Sequence, residues 1–261
     1  MIVNEAEIQR RALLRPGDRI VLTGDSVTDW GRDRADPDSL GHGYAGIVAA
    51  LLGARHPELG LTFANRGVGG DTSDLLRARW ADDVLSLEPT VISVLVGIND
   101  TWRRYDEGAS TSAQTYEENY RAVLDAAVAR GVRRFVLIEP FLAPVSRDQE
   151  LWWDDLAPRI AVVQRLAAEY EAVLVPAADV FRAAAARTTA QQWCADGVHP
   201  TTAGHGLLAQ AWLAAVEGAP APKETGTTAA RHVCPAVPAV PAVPSRGPKL
   251  TGVRDLAGVP W

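Results

Sequence analysis

Between residues 19 and 216 the chain alternates short apolar runs with longer segments of helical spacing. Arg19-Ile-Val-Leu-Thr23 is apolar throughout its middle and ends at a turn, which predicts a strand covered on both faces. Leu61 to Asn65, Thr90 to Val96, Arg134 to Ile138 and Ala172 to Val175 repeat that signal. Helical spacing fills Gly43 to Leu52, Ser73 to Leu87, Ser112 to Arg130, Leu156 to Tyr170, Val180 to Arg187 and Thr201 to Val216. The punctuation agrees with these limits. Gly53 and Gly131 stand where helices stop, Asp71, Thr72 and Ser73 offer N-caps, Pro140 ends the fourth strand and Pro200 precedes the last helix.

Strands separated by helices imply βαβ crossovers and a parallel sheet. The expected fold is therefore α/β: a three-layer α/β/α sandwich around a five-stranded parallel sheet, flavodoxin-like in plan. In such sheets ligands bind beyond the carboxyl ends of the strands. Three segments directly follow predicted strands and converge on that rim: Gly24-Asp25-Ser26, Gly67-Val-Gly-Gly70 and Gly97-Ile-Asn-Asp100.

Composition divides the chain near Gly218. Of the 17 prolines, eight lie from Gly218 to Trp261, together with both lysines, Lys223 and Lys249. That stretch carries a net charge of +3, so with −6 overall the first 217 residues stand at −9. Residues 1–217 are expected to form one folded domain that holds all the rim segments, and 218–261 a Pro-rich basic tail, extended or disordered. The acidic balance argues against a nucleic-acid partner held by phosphate neutralisation. No apolar run reaches the roughly 20 residues of a membrane span, and the first 19 residues are charged where a secretory leader is apolar. Two cysteines, Cys194 and Cys234, build no disulfide framework. A soluble, cytoplasmic protein is the expectation.

The rim segments carry candidate chemistry. Ser26 at a strand-to-helix turn is placed to expose its hydroxyl, and a serine needs a base to attack. Of the five histidines, His199 in Asp196-Gly-Val-His199-Pro200 is the best candidate, because a carboxylate three residues earlier in a loop reaches Nδ1 and leaves Nε2 for the serine. Gly67 to Thr72 fits neither a dinucleotide fingerprint nor a P-loop, since Thr72 stands where a third glycine is needed and no Lys-Ser/Thr follows. A backbone N–H beside a ligand is the alternative use of those glycines, and the Asn99 amide is a second donor for an oxyanion. Each residue alone also reads as plain structure: a helix cap at Ser26, an Asx-turn at Asp196, a turn former at Asn99. Asp196, His199 and His205 lack the further Cys or His that a metal site would need, so no metal or other cofactor is expected.

The four blocks occur in a specific order, and with them the sequence resembles the SGNH, or GDSL, hydrolases: Gly24-Asp25-Ser26, Asn65-Arg-Gly-Val-Gly-Gly70-Asp-Thr72, Gly97-Ile-Asn99-Asp100 and Asp196-Gly-Val-His199-Pro200. The similarity runs from about Asp18 to Trp212. It implies an SGNH hydrolase fold, Ser26 as nucleophile, His199 as base then acid, Asp196 as its orienting carboxylate, and Ser26 N–H, Gly70 N–H and Asn99 as the oxyanion hole. Ser26-Val-Thr-Asp-Trp-Gly-Arg32, Gly41-His-Gly-Tyr44, Ala78-Arg-Trp-Ala-Asp-Asp83 and Gly97-Ile-Asn-Asp-Thr-Trp-Arg103 are most similar to bacterial intracellular acetylxylan esterases of that family. Gly69 departs from the serine or alanine frequent there, and nothing in the family matches the tail.

The resemblance implies a serine esterase acting on short-chain acetyl esters, with an acetylated sugar such as a xylo-oligosaccharide as the small-molecule partner, and a homo-oligomer as the subgroup's habit. The rival readings are an acyltransferase or deacetylase acting on a small biosynthetic metabolite, and a lysophospholipase or thioesterase of the same family. Asp25, Trp30, Trp102, Arg103 and Trp193 flank the catalytic blocks and are candidate substrate contacts. Core packing is the plain role for the tryptophans, and a solvated, salt-bridging face for Arg103 and Arg104.

Overall fold

A computed structural model describes residues 13–218. The tail from residue 219 on, expected to be extended or disordered, lies outside the described residues.

Five strands form one parallel sheet: β1 (Arg19–Gly24), β2 (Thr62–Gly67), β3 (Val91–Leu95), β4 (Arg134–Ile138) and β5 (Val173–Val175). Their spatial order is β2-β1-β3-β4-β5, the flavodoxin-like plan. Ten α-helices accompany them among the described residues: α1 (Ser26–Asp29), α2 (Tyr44–Arg55), α3 (Ser73–Arg79), α4 (Ile98–Asp106), α5 (Ala113–Ala129), α6 (Arg147–Glu150), α7 (Trp153–Glu169), α8 (Ala177–Arg187), α9 (Ala190–Trp193) and α10 (Thr202–Glu217).

Alternation along each strand builds the three layers. Ile20, Leu22, Val91, Leu95, Val136 and Ile138 pack with α2, α8 and α10. Val21, Ile92, Val94, Phe135 and Leu137 face the other way, onto α3, α5 and α7. Both sides are buried, which is why the strands read as continuous apolar runs. The one polar interruption of β3 is satisfied: buried Ser93 accepts the indole N–H of Trp212 at 3.0 Å.

Three differences from the sequence reading have physical causes. The expected helix Ser73–Leu87 is α-helical only to Arg79, then widens into a π turn (Trp80–Val84) and a short 3-10 turn (Leu85–Leu87). The wider turn lets Leu76, Trp80, Val84 and Leu85 all face the core. Helix α4 follows β3 where a loop was expected, because Ile98 and Trp102 are its only strongly apolar residues. Helix α7 begins before the expected Leu156 and carries Pro158 inside it.

Register puts the site loops at one level. Gly24 pairs with Gly67 on one side and Leu95 on the other. The strand order reverses at β1, which has β2 on one side and β3 on the other, and this is the topological switch point at which such sheets open a crevice. Gly24 itself admits no side chain, since a Cβ there would sit 1.9 Å from the Leu95 carbonyl oxygen.

Candidate active site

Beyond Gly24 the chain turns into α1, whose first residue is Ser26. Asp25 caps that turn: its Oδ1 accepts the Val27 N–H at 3.0 Å. Asp25 is fully buried and Oδ2 has no hydrogen-bond partner. Burial pushes its carboxyl up to about 7. A side chain so placed caps the turn that carries Ser26 and leaves no surface exposed.

Ser26 Oγ lies 2.8 Å from His199 Nε2 although the residues are 173 apart in sequence. His199 Nδ1 lies 2.6 Å from Asp196 Oδ2. With a carboxylate at Nδ1, that nitrogen carries the proton of the neutral ring, and Nε2 is left to accept from the serine hydroxyl. Burial raises the Asp196 carboxyl, but hydrogen bonds from the His199 ring, the His199 N–H and the Val198 N–H outweigh it and hold the group at about 2. Asp196 therefore stays an anion across the neutral range, although its side chain is 46% exposed.

The Asp196–His199 loop is braced by Gln149. Its Nε2 donates to the Asp196 carbonyl at 2.7 Å and its Oε1 accepts the Val145 N–H at 2.9 Å. Gly197 lies against the same amide with φ +91°, and a Cβ there would come within 2.4 Å of Gln149 Oε1. The Ala143 N–H donates to the Gly197 carbonyl from the other side at 2.9 Å.

Gly67 to Asp71 forms the facing wall. Asp71 N–H bonds back to the Val68 carbonyl, and Gly70 has φ +85°, the turn geometry that favours glycine at its third position. Gly69 N–H donates to Asp29 Oδ2 at 2.9 Å, Arg103 Nη2 donates to the Gly70 carbonyl at 2.9 Å, and Asn99 Nδ2 donates to the Asp71 carbonyl at 2.9 Å. A Cβ built on Gly69 would lie 3.8 Å from Ser26 Cβ, so this loop and the serine adjoin.

Two tryptophans flank His199. The Trp30 ring centroid is 5.9 Å and the Trp102 centroid 5.8 Å from the imidazole. Trp30 also packs, tilted, against buried His205 at 5.4 Å, and Trp102 against Trp152 at 5.7 Å. Trp193 packs against the core on the α2, α8 and α10 side, and its indole N–H donates to Thr188 Oγ1 at 2.9 Å. Cys194 is buried, and desolvation raises its thiol far above the reactive range. Arg104 pairs with Asp155 at 2.6 Å, as expected of a salt-bridging face.

The structure thus brings together Ser26, Asp196, His199, the Gly70 loop, Asn99, Trp30 and Trp102. Asp25, Arg103 and Trp193 each make a contact within the protein, to the Val27 N–H, the Gly70 carbonyl and Thr188 Oγ1 respectively. Sequence reasoning missed Gln149 and the bracing role of Asp29. Asp29 lies within one of the motif blocks, whereas Gln149 carries no local signal at all.

Comparisons with known proteins agree with this architecture. A model of the GDSL-like Lipase/Acylhydrolase family matches residues 22–207, from the first strand into the last helix. An acetylxylan esterase of Geobacillus stearothermophilus is 33% identical over 204 residues, 76% of this chain and 93% of that protein. The crystal structure of Axe2, an acetylxylan esterase from that organism, is 31% identical with a TM-score of 0.73, covering 78% of this chain and 95% of that one. LAE5, an alpha/beta hydrolase enzyme from the metagenome of Lake Arreo, is 30% identical with a TM-score of 0.73, covering 78% and 97%. Catalytic mutants of Axe2 replace a serine and an aspartate with alanine. The chain belongs to the GDSL-like lipase/acylhydrolase family, has the SGNH hydrolase fold and is a carboxylic ester hydrolase.

Proposed function

We propose that Ser26, His199 and Asp196 carry out a two-step acyl transfer that removes acetyl groups from carbohydrate esters such as acetylated xylo-oligosaccharides. The observation that carries this reading is the relay Ser26 Oγ–His199 Nε2 at 2.8 Å and His199 Nδ1–Asp196 Oδ2 at 2.6 Å. His199 takes the serine proton as Oγ attacks the ester carbonyl. The Asp196 carboxylate stabilises the imidazolium that forms. His199 then gives the proton to the departing alcohol, and water releases acetate by the same sequence.

The oxyanion is held by the N–H groups of Ser26 and Gly70 and by the Asn99 amide. One Asn99 amide proton is engaged by the Asp71 carbonyl, which leaves the other for the oxyanion. The carbohydrate preference rests on the tryptophans beside His199 and on the relatives' activity on acetylated xylan. Ser26→Ala should lower kcat on p-nitrophenyl acetate by on the order of 10⁶, and Asn99→Ala by on the order of 10²–10³. A panel pairing acetylated xylose and xylo-oligosaccharides with aryl esters of increasing chain length completes the test. Wild-type turnover by Ser26→Ala removes the mechanism, and a kcat/KM that climbs steadily with acyl length removes the acetyl preference.

A further inference from the structure

Gly69-Gly70 is the most pliable dipeptide the site contains, because glycine restricts its own backbone least. The same peptide plane carries the Gly70 N–H proposed as an oxyanion donor. A donor of this kind works only when its direction is set before the charge develops. The direction must therefore come from contacts outside the dipeptide.

Three side chains supply those contacts. On the N-terminal side, Gly69 N–H is held by Asp29 Oδ2 at 2.9 Å. On the C-terminal side, two successive carbonyls are gripped from a single helix. Asn99 takes that of Asp71 and Arg103 that of Gly70, both at 2.9 Å. Asn99 and Arg103 are four apart on α4, so one helical face presents both. Helix α4 is itself anchored. Asp100 accepts from the Ser73 N–H at 3.0 Å and its hydroxyl at 2.7 Å, and Arg104 pairs with Asp155, which also holds buried Arg159 at 2.6 Å.

We infer that Arg103 is a positioning residue for ester hydrolysis, clamping the Gly70 carbonyl so that the Gly69–Gly70 peptide plane keeps its N–H aimed at the developing oxyanion. The inference rests on the oxyanion reading above and adds to it the residue that orients the donor. Arg103 acts through Gly70 and not by contact with the substrate. Its loss therefore weakens binding of the tetrahedral state more than binding of the ester.

The test compares Arg103→Met, which keeps the stem and removes donor and charge, with Arg103→Lys, which restores a charged donor. With p-nitrophenyl acetate, Arg103→Met should lower kcat by about 10- to 100-fold. KM should move less than about threefold, because ground-state binding is untouched. Inhibition by phenylboronic acid, which forms a tetrahedral serine adduct, should weaken in step with kcat. Arg103→Lys should recover part of both losses. A kcat for Arg103→Met within about twofold of wild type, a loss confined to KM, or an unchanged boronate constant would overturn the inference.

Should Arg103→Met not fold, judged by the absence of a thermal transition, Arg103→Lys decides. A kcat lowered at unchanged KM upholds the clamp, and wild-type kcat removes it. If Ser26→Ala stays active or Asn99→Ala costs nothing, the underlying oxyanion reading has failed. If those variants behave as proposed and Arg103→Met does not, only the clamp has failed.

Discussion

The carboxylate of Asp29 accepts the N–H of Gly69 at 2.9 Å, tying the last residue of the helix that begins at Ser26 to the glycine loop beside it. Burial raises the Asp29 carboxyl, but hydrogen bonds from Arg34, Gly69 and Arg32 outweigh it and hold the group below its ordinary value. The helix that carries Ser26 and the facing wall are thus tied together directly. Asp29→Ala removes that tie and should cost about 1.5–3 kcal/mol of stability, the range for a hydrogen bond to a charged group. It should also lower kcat on p-nitrophenyl acetate. Chemical denaturation and steady-state kinetics read the two effects, and unchanged values for both would refute the coupling.

Gly69 is a different kind of glycine from Gly70. Its φ is not left-handed, and a Cβ would meet Asp29 Oδ2 at 3.6 Å, Arg34 Nη2 at 3.8 Å and Ser26 Cβ at 3.8 Å, all ordinary contacts. Gly69→Ala should therefore stabilise the protein by about 0.4–1 kcal/mol through a less disordered unfolded chain. Gly70→Ala, forced into φ +85°, should destabilise it. Urea midpoints for the two variants should move in opposite directions, and a shift of the same sign for both would contradict the backbone argument.

Gln149 joins the loop that carries Asp196 to the segment before α6. Gln149→Leu keeps the volume and removes both hydrogen bonds, to the Asp196 carbonyl and from the Val145 N–H. A loss of about 1–3 kcal/mol is expected, together with a fall in kcat of about tenfold as His199 loses its fixed partner. Thermal melts and kcat measured on the same preparation check this, and a variant with wild-type kcat would show that the Asp196 loop holds itself.

His205 sets a pH dependence of stability. Its Nδ1 accepts the Tyr44 N–H at 3.2 Å, its Nε2 is buried without a partner, and desolvation lowers the ring from 6.5 to about 4, helped by the charge of His199. Between pH 6.5 and 4 the unfolded chain binds a proton that the folded chain refuses. Stability linked to this ring is thus complete above 6.5 and is lost on acidification through that window. The amount is on the order of 3 kcal/mol. Asp25 and Asp100 oppose it, since burial raises their carboxyls to about 7 and about 6 and the folded state takes up their protons first. The informative quantity is therefore the difference between wild type and His205→Asn, which retains an acceptor for Tyr44. That difference should shrink between pH 6.5 and 4, and a difference independent of pH would exclude the assignment.

Trp30 and Trp102 approach the His199 ring at 5.9 Å and 5.8 Å. If these rings bound the acyl and alcohol spaces, Trp102→Ala or Trp30→Ala should raise the octanoyl-to-acetyl ratio of kcat/KM by about tenfold or more. Aryl esters of both lengths measure the ratio, and an unchanged ratio in both variants would move the size filter elsewhere.

Local periodicity was enough to locate all five strands to within a residue or two, most clearly the central β1, β3 and β4, which are buried on both faces and apolar along most of their length. Three site blocks were visible because turns after strands demand glycine, asparagine and aspartate, and the fourth through the spacing of Asp196 and His199 before the last helix. Helix α4 escaped notice because its nine residues hold two strongly apolar side chains, too few for a period. Asp25 and Arg103 were legible as neighbours of the site blocks, but not the cap and the carbonyl contact they make. Their burial and partners come from packing, which sequence spacing does not encode.

The amino-acid sequence by itself determined the layer pattern, the candidate-site residue types and their order along the chain, since each follows from short-range patterning and side-chain chemistry. Only the tertiary structure decided that Asp25 caps from below, that Arg103 grips the Gly70 carbonyl 33 residues away, and that Gln149 braces Asp196 across 47. Such pairings depend on where the crossovers return the chain beside β1 and β3. That return is set by the packing of two helical layers on one sheet and leaves no trace in the local sequence.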